Sequence, residues 1–353
     1  MAEVFLFGFV IFSKLIQLVR LGMGNVFEFR REGIYCPAGD FYIDPRGKVD
    51  RAVITHAHSD HARAGHNRYL CSGSCLPLLK IRLGEKTRTE SVPFGEKVRI
   101  GSAKVSLHPA GHILGSAQVR VEVKGEVWVV SGDYKPQADR TCEAFEIIPC
   151  HGFISECTFG LPVYRWMDED LVHQEINEWW QENAKNESPS LLFAYSLGKA
   201  QRVLAGLKTQ GRPVYIHNAI HPFLEHYRQA GVKFPELQKI EKGEEYEFSS
   251  SLVVAPPAVE DSTWVRKIKR AKKGFASGWM SIRGAKRRRN LDRGFVLSDH
   301  ADWPGLLEVI EGTGAEKILL THGNGDALVR FLRERGKDTS LLEGATIRGE
   351  EEE

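Results

Sequence analysis

Three imidazoles and one carboxylate fall within six positions of the segment Thr55-His56-Ala57-His58-Ser59-Asp60-His61, which follows the apolar triplet Ala52-Val53-Ile54. At a strand end, side chains two positions apart share a face, so His56 and His58 point the same way. Asp60 and His61 then sit on the turn. Neutral imidazole nitrogens with a hard carboxylate suit zinc, or manganese where more oxygen ligands join. The chain has 13 histidines in 353 residues, and three in one turn are more than an incidental polar loop would hold. A two-cation site needs further ligands, and four later turns offer them. His108 runs into Pro109-Ala110-Gly111-His112-Ile113-Leu114-Gly115-Ser116, where glycine lets the backbone come close to a cation. The apolar strand Val127-Trp128-Val129-Val130 ends in Ser131-Gly132-Asp133, from which a carboxylate can bridge two cations. Leu297-Ser298-Asp299-His300-Ala301-Asp302 and Leu319-Leu320-Thr321-His322-Gly323 repeat the pattern of apolar strand, then turn. Strand ends are where α/β proteins gather their sites.

These turns have to be carried by a framework that changes character along the chain. From about Val26 to Thr158 the sequence is strand-rich, with Ala117 to Val123 and Glu126 to Ser131 alternating around Lys124-Gly125 as a hairpin. After Pro162, helices and strands alternate. The spacing predicts helices over Asp170 to Asn183 and Lys199 to Leu207, and strands over Leu191 to Tyr195, Pro213 to His217 and Leu252 to Ala255. This βαβ texture implies a second, parallel sheet. Strands resume at Gly294 to Ser298 and Lys317 to Thr321. Neither an internal repeat nor a low-complexity linker is present.

A hydrophobic content of 42% lets a chain of this length bury a sizeable core, as one large domain or two ordinary ones. Six cysteines (Cys36, Cys71, Cys75, Cys142, Cys150, Cys157) form no Cys-x-x-Cys pair, which argues against a zinc ribbon and for reduced thiols in the cytoplasm. The apolar residues Val4 to Val19 are broken by Lys14 and Gln17, too soon for a membrane span of about 20 residues. No basic residue precedes them as in a signal peptide. Met23 is the expected natural start, with Gly24 to Phe29 as a first strand, and Glu350 to Glu353 an acidic, disordered tail.

Several motifs carry a resemblance. THAHSDH, AGHILGSA, SGDYK and LLTHG resemble the metal motifs of the metallo-β-lactamase fold. SECTFG around Glu156, SLGKAQRVL and SDHADW resemble its β-CASP branch, whose members are nucleases. CPAGDFYIDP, FGLPVYRW, FASGWMSIRGAKRRR and VLSDHADWPGLL extend the likeness, from Phe27 to about Leu342, to the DNA ligase-associated exonucleases, a family also labelled as similar to mRNA 3′-end processing factors. The resemblance implies an α/β fold, a metallo-β-lactamase αββα sandwich with an inserted β-CASP α/β domain. The expected divisions are an apolar extension (1–23), the first part of the sandwich (24–160), the insert (161–293), the second part (294–345) and the tail (346–353). Two divalent cations are implied, zinc foremost and manganese as the alternative. His56, His58 and His112 would hold one, and Asp60, His61 and His322 the other, with Asp133 bridging. Asp44 would orient the histidine loop from behind, although an Asp before Pro45 also suits a turn. Glu156 and His300 would stand beside the scissile phosphate.

The implied chemistry is phosphodiester hydrolysis, in which water activated between the cations attacks phosphorus and a charged His300, oriented by Glu156, protonates the departing sugar oxygen. Asp60 and Asp133 belong to the catalytic set as cation ligands. A net charge of +2 leaves nucleic-acid binding to local charge. Arg266 to Arg293 holds twelve basic residues against Asp292 alone, with Trp264 and Trp279 nearby, although Trp279 is expected in the core. Contacts are expected from Ser196 and Lys199, at a strand-to-helix turn beside Gly198, and from Arg283, Lys286, Arg287 and Arg288. His217, His221 and His226 read as surface or packing residues, and His66 and His108 as having no evident partner. Histidine at position 322 leans towards RNA-processing members of the branch, because DNA-processing relatives of Artemis usually have an aliphatic residue there. The near full-length likeness points to DNA, and to an ATP-dependent DNA ligase and a helicase as partners. The remaining readings are a β-CASP ribonuclease, a catalytically dead nucleic-acid scaffold and a small-molecule ester hydrolase.

Overall fold

The computed structural model of the chain describes residues 26–241, 246–282, 284 and 290–342. Short strands come first. β1 (Glu28–Arg30), β2 (Gly33–Cys36) and β3 (Phe41–Ile43) run antiparallel, and β4 (Arg51–Val53), β5 (Arg68–Ser72) and β6 (Thr89–Val92) extend the sheet in parallel, with helix α1 (Cys75–Leu83) before β6. A second sheet starts with β7 (Val98–Ile100), β8 (Ala103–Pro109), β9 (Ala117–Val123) and β10 (Glu126–Val130), all antiparallel. The β9–β10 turn is made by Lys124 and Gly125, both at positive φ. β11 (Gly152–Glu156) then lies parallel to β10.

Here the chain leaves for the insert: α2 (Glu169–Lys185), β12 (Ser190–Phe193), α3 (Lys199–Ala205), β13 (Val214–Ile216), α4 (His221–Gln229), β14 (Gln238–Lys239), β15 (Leu252–Ala255), α5 (Thr263–Lys267), β16 (Lys272–Ala276) and β17 (Arg293–Phe295). All pairings of this third sheet are parallel. The chain returns through α6 (Trp303–Gly312), β18 (Lys317–Thr321), α7 (Asp326–Glu334) and β19 (Asp338–Leu341), and β18 pairs in parallel with β11.

Burial alternates as the strands require. Ile34, Phe41, Val53, Val105, Val119, Val121, Trp128 and Ile154 meet between the first two sheets. Ala52, Ile54, Tyr69 and Cys71 face outward onto Leu78 and Leu79 of α1. Val129, Phe153, Ile318 and Leu320 face outward onto Leu306, Val309, Leu328 and Leu332 of α6 and α7. The layers are therefore helix, sheet, sheet, helix, the αββα sandwich expected. Each large apolar side chain so buried stabilises by roughly 1.5–3 kcal/mol. In the insert, Leu192, Val214, Val254 and Phe295 pack under Ile176, Trp180, Val203 and Leu224, while Leu191, Phe193, Val253 and Phe275 line the opposite face.

One expected division shifts. β17 completes the insert's sheet, with Phe275 opposite Gly294 and Ala276 opposite Phe295, so the host resumes beyond Phe295 rather than at 294. The proposed N-terminal extension and the tail lie outside the described residues, as do Gly24 and Asn25 of the first expected strand, whose described part begins its extended run at Glu28 as β1. Among the described residues no helix is long and apolar enough to cross a membrane.

Candidate metal centre and its acid pair

The loop leaving β4 is fastened from below by one residue. The Thr55 amide donates to Asp44 Oδ1 at 2.8 Å and the Thr55 hydroxyl to Asp44 Oδ2 at 2.6 Å. With its single proton committed, Thr55 Oγ1 accepts from His56 Nδ1 at 3.0 Å, which leaves the His56 Nε2 lone pair facing inward. His61 is set the same way, its Nδ1 donating to Asp44 Oδ2 at 2.7 Å. Gly132 makes the close approach across the sandwich. It has φ +58°, and a Cβ there would lie 2.7 Å from Thr55 Cβ.

Two ligand sets meet on Asp133. Side chains of His56, His58, His112 and Asp133 converge with ligand atoms within 4.8 Å of one another. So do those of His61, Asp133 and His322, and those of His56, Asp60 and His61. Asp133 Oδ2 lies 3.6 Å from His56 Nε2, 3.8 Å from His112 Nε2 and 3.4 Å from His61 Nε2, while His61 Nε2 is 3.5 Å from Asp60 Oδ2. His61 and His322 stack with centroids 4.9 Å apart, and His322 holds a left-handed backbone at φ 50°.

The donor set fits cations. His56 Nε2, His61 Nε2, Asp60 Oδ1 and Asp133 Oδ1 are buried with no hydrogen-bond partner, a costly state unless a cation takes them up. His112 Nδ1 donates to the Asp299 carbonyl at 2.9 Å and His58 Nε2 to the Leu197 carbonyl at 3.1 Å. Their other nitrogens, both acceptors, then face each other at 3.0 Å. Two lone pairs that close require a positive charge between them. Burial and the neighbouring His61 hold His56 well below the usual histidine range, burial and His300 bring His112 down to about 4, and burial and His61 lower His322. Neutral imidazoles are what a cation needs. His61 is pushed the other way. Burial opposes its charge, but Asp133, Asp60 and Asp44 raise it well above the usual range, and Asp133 in turn, against burial, is held well below its own by His61 and His300.

Glu156 ends β11 and is 1% exposed. Its Oε1 accepts the Tyr134 amide at 2.8 Å, and both carboxylate oxygens lie 2.9 Å from His300 Nδ1. Burial raises the Glu156 carboxyl above its ordinary value while His300 pulls against it. Asp133, Glu156 and His300 bring ligand-type atoms within the same 4.8 Å, so the pair borders the cation sets. Trp166 Nε1 donates to the His300 carbonyl at 2.8 Å, and Phe159 packs edge-on against the His300 ring.

The expected phosphate contacts fare differently. Lys199 is only 3% exposed and its ammonium is paired with Asp299, so it is a buried structural cation, not a group offered to a substrate. The Gly198 amide is likewise spent on Gln201 Oε1 at 2.7 Å. Ser196 is partly exposed on the same turn. Arg283, Lys286, Arg287 and Arg288 lie outside the described residues, whereas Arg266, Lys267, Lys269 and Arg270 are exposed. Trp279 packs on Phe159 and Tyr164. His66 and His108 do have partners, the Val49 amide at 3.3 Å and Glu146 at 2.8 Å. The sequence reading missed Thr55, whose place beside His56 was the available signal. It also missed Arg202, Asp139 and Glu169, which look like surface charges until they are folded.

No family model matches the chain. It is 34% identical over 307 residues to a protein named Probable DNA ligase from Opitutus terrae, covering 86% of this chain and 30% of that one. It is 30% identical over 121 residues to cleavage and polyadenylation specificity factor subunit 3 of Dictyostelium discoideum (33% of this chain, 15% of that one). With Ribonuclease TTHA0252 of Thermus thermophilus it shares 25% over 209 residues (50% and 48%). The chain thus spans less than half the length of each of these relatives. A crystal structure of a protein of unknown function from Enterococcus faecalis V583 superposes with TM-score 0.54 at 10% identity over 77% of this chain and 75% of that one, a likeness of fold alone.

Proposed function

This chain belongs to the β-CASP branch of the metallo-β-lactamase fold, and from that premise we propose that it is a phosphodiesterase dependent on two divalent cations, acting as a DNA exonuclease in end processing and repair. One observation carries the reading: Asp133 joins both ligand sets and also faces the Glu156–His300 pair. Hydrolases of small esters need the ligands but no separate acid next to them.

When bound, two cations would lower the pKa of a shared water and offset the charge of the phosphodiester's non-bridging oxygens. The predominance of imidazole among the ligands supports zinc, with manganese as the alternative. His56, His58 and His112 would hold the first ion, and Asp60, His61 and His322 the second. Asp133 would bridge, and Asp44 would fix His61 and, through Thr55, His56. His300 donates Nδ1–H to Glu156, and its Nε2, 3.8 Å from Asp299 Oδ1, is the nitrogen assigned to carry a proton to the leaving oxygen. The buried carboxylate favours the imidazolium that this requires.

The exposed Arg266, Lys267, Lys269 and Arg270 support a polyanionic substrate. Ser196, Arg283, Lys286, Arg287 and Arg288 are its remaining proposed contacts. DNA is favoured by the likeness to a protein named Probable DNA ligase, and an ATP-dependent ligase and a helicase as partners rest on the family resemblance. All six cysteines are free, which supports a reducing cytoplasm. An RNA substrate is the second reading, favoured by His322 and by relatives named as ribonucleases.

The deciding experiment is a time course of the purified protein with manganese or zinc on matched single-stranded DNA and RNA, labelled separately at each end, with His300→Ala and Asp133→Ala as controls. Stepwise release of mononucleotides from DNA, abolished in both variants, is the expected result. Internal cuts confined to RNA would transfer the protein to the RNA-processing type, and no cleavage of either polymer would end the nuclease reading.

A further inference from the structure

Arg202 sits in α3 of the insert with only 1% of its surface exposed, yet it touches four segments. One guanidinium nitrogen donates to the Ser298 carbonyl at 2.6 Å and another to the His112 carbonyl at 3.3 Å. Nε is ion-paired with Asp139 and lies 3.8 Å from Glu169 Oε2. Lys135, also buried, pairs with the same Glu169 at 2.8 Å. Two cations face two carboxylates, so the cluster is neutral and its charge is not waiting for a phosphate.

The four segments matter by their place in the chain. Glu169 opens the helix by which the chain enters the insert, and Ser298 lies where it leaves. Asp139 follows Asp133, and His112 is a ligand of the first set. One turn earlier on α3, Lys199 holds Asp299, whose carbonyl accepts the His112 Nδ1 proton. Contact is tight enough that a Cβ on Gly198 would come 2.3 Å from Ile113 Cγ2. On the reading of two bound cations given above, we infer that Arg202 is a positioning residue, fastening both crossovers of the insert to the first cation set so that the insert's seating fixes where His112 points. Arginine suits this because its planar fork serves two carbonyls and two carboxylates at once, which an ammonium cannot.

The test compares Arg202→Lys, which keeps the buried charge, with Arg202→Met, using Asp60→Ala to mark the second set. Cation affinity would be read by titration calorimetry and by the visible spectrum of bound cobalt, alongside thermal unfolding, kcat and KM. Expected for Arg202→Lys is a cooperative transition, second-set binding unchanged, first-set affinity lower by about 10- to 100-fold, and a fall in kcat exceeding any rise in KM. Wild-type affinity at both sets, equal loss at both, or loss of cooperative folding in both variants would each overturn the assignment. The affinity and spectrum decide even if the wild type cleaves no nucleic acid, so failure of the nuclease reading stays separate.

Discussion

Glu156 and His300, 144 residues apart, meet with both carboxylate oxygens 2.9 Å from one imidazole nitrogen. The first is the last residue of β11, ahead of the insert, and the second lies on the turn between β17 and α6, behind it. The contact therefore joins the two ends of the insert, and on the function proposed above it is what would hold His300 to deliver a proton.

On the roles proposed above, replacing His300 by Ala removes that proton but none of the assigned cation ligands, although the His300 ring packs 4.7 Å from that of His112. Turnover is expected to fall about 10²- to 10⁴-fold while roughly two cations per chain are retained. Single-turnover kinetics paired with elemental analysis checks both, and an emptied cation site would assign His300 as a ligand instead.

Asp133→Ala has the opposite signature. Oδ2 lies within 3.8 Å of nitrogens from both sets, so cation content should drop from about two to below one per chain. Mass spectrometry under native conditions reads this directly. Retention of both ions would show that the carboxylate does not bridge.

Gly132→Ala should destabilise the cation-free protein by about 1–3 kcal/mol, because a left-handed φ is strained for alanine and the methyl would press on Thr55. Urea unfolding measures it. Since Thr55 links Asp44 to His56, cation affinity should fall as well.

Glu169 is held far below the ordinary carboxylate range: burial opposes ionisation, but His173, Arg202 and Lys135 outweigh it. A lowered folded-state pKa adds stability above the unfolded value of about 4.3 and loses it as pH falls below. Glu169→Gln should cost about 3–5 kcal/mol at pH 7, and the gap to wild type should narrow steadily below pH ~4.3. A gap independent of pH would mean that the carboxylate contributes packing alone.

What could be read beforehand followed a physical divide. The residues that the fold gathers into candidate cation sets were legible because a strand end displays its chemistry locally, three imidazoles in six positions, and because apolar strand followed by polar turn recurs at Asp133, His300 and His322. Of the insert's helices, α2 and α3 were legible from their period, to within about two residues, whereas the shorter α4 and α5 were not expected. Lys199 and Arg202 were not. A cation on a short helix reads as solvent-facing, and only the fold reveals Asp299 and Asp139 waiting for it. The strand at Arg293–Phe295 was assigned to the host because it leads into the His300 turn, but its pairing is decided by β16, which lies elsewhere in the chain.

β11 and β18 are hydrogen-bonded neighbours, with Glu156 opposite Thr321. Between them the host sees only a strand, a helix and a strand, an ordinary parallel crossover into whose first loop a whole domain has been spliced. Such a splice can be lengthened, trimmed or exchanged over descent without redrawing a single pairing of the sandwich. An insert exchanged in this way would leave the strands that carry His56, Asp133 and His322 as they are, while the contacts of Arg202 and Lys199 with the turn after β17 would have to be supplied anew.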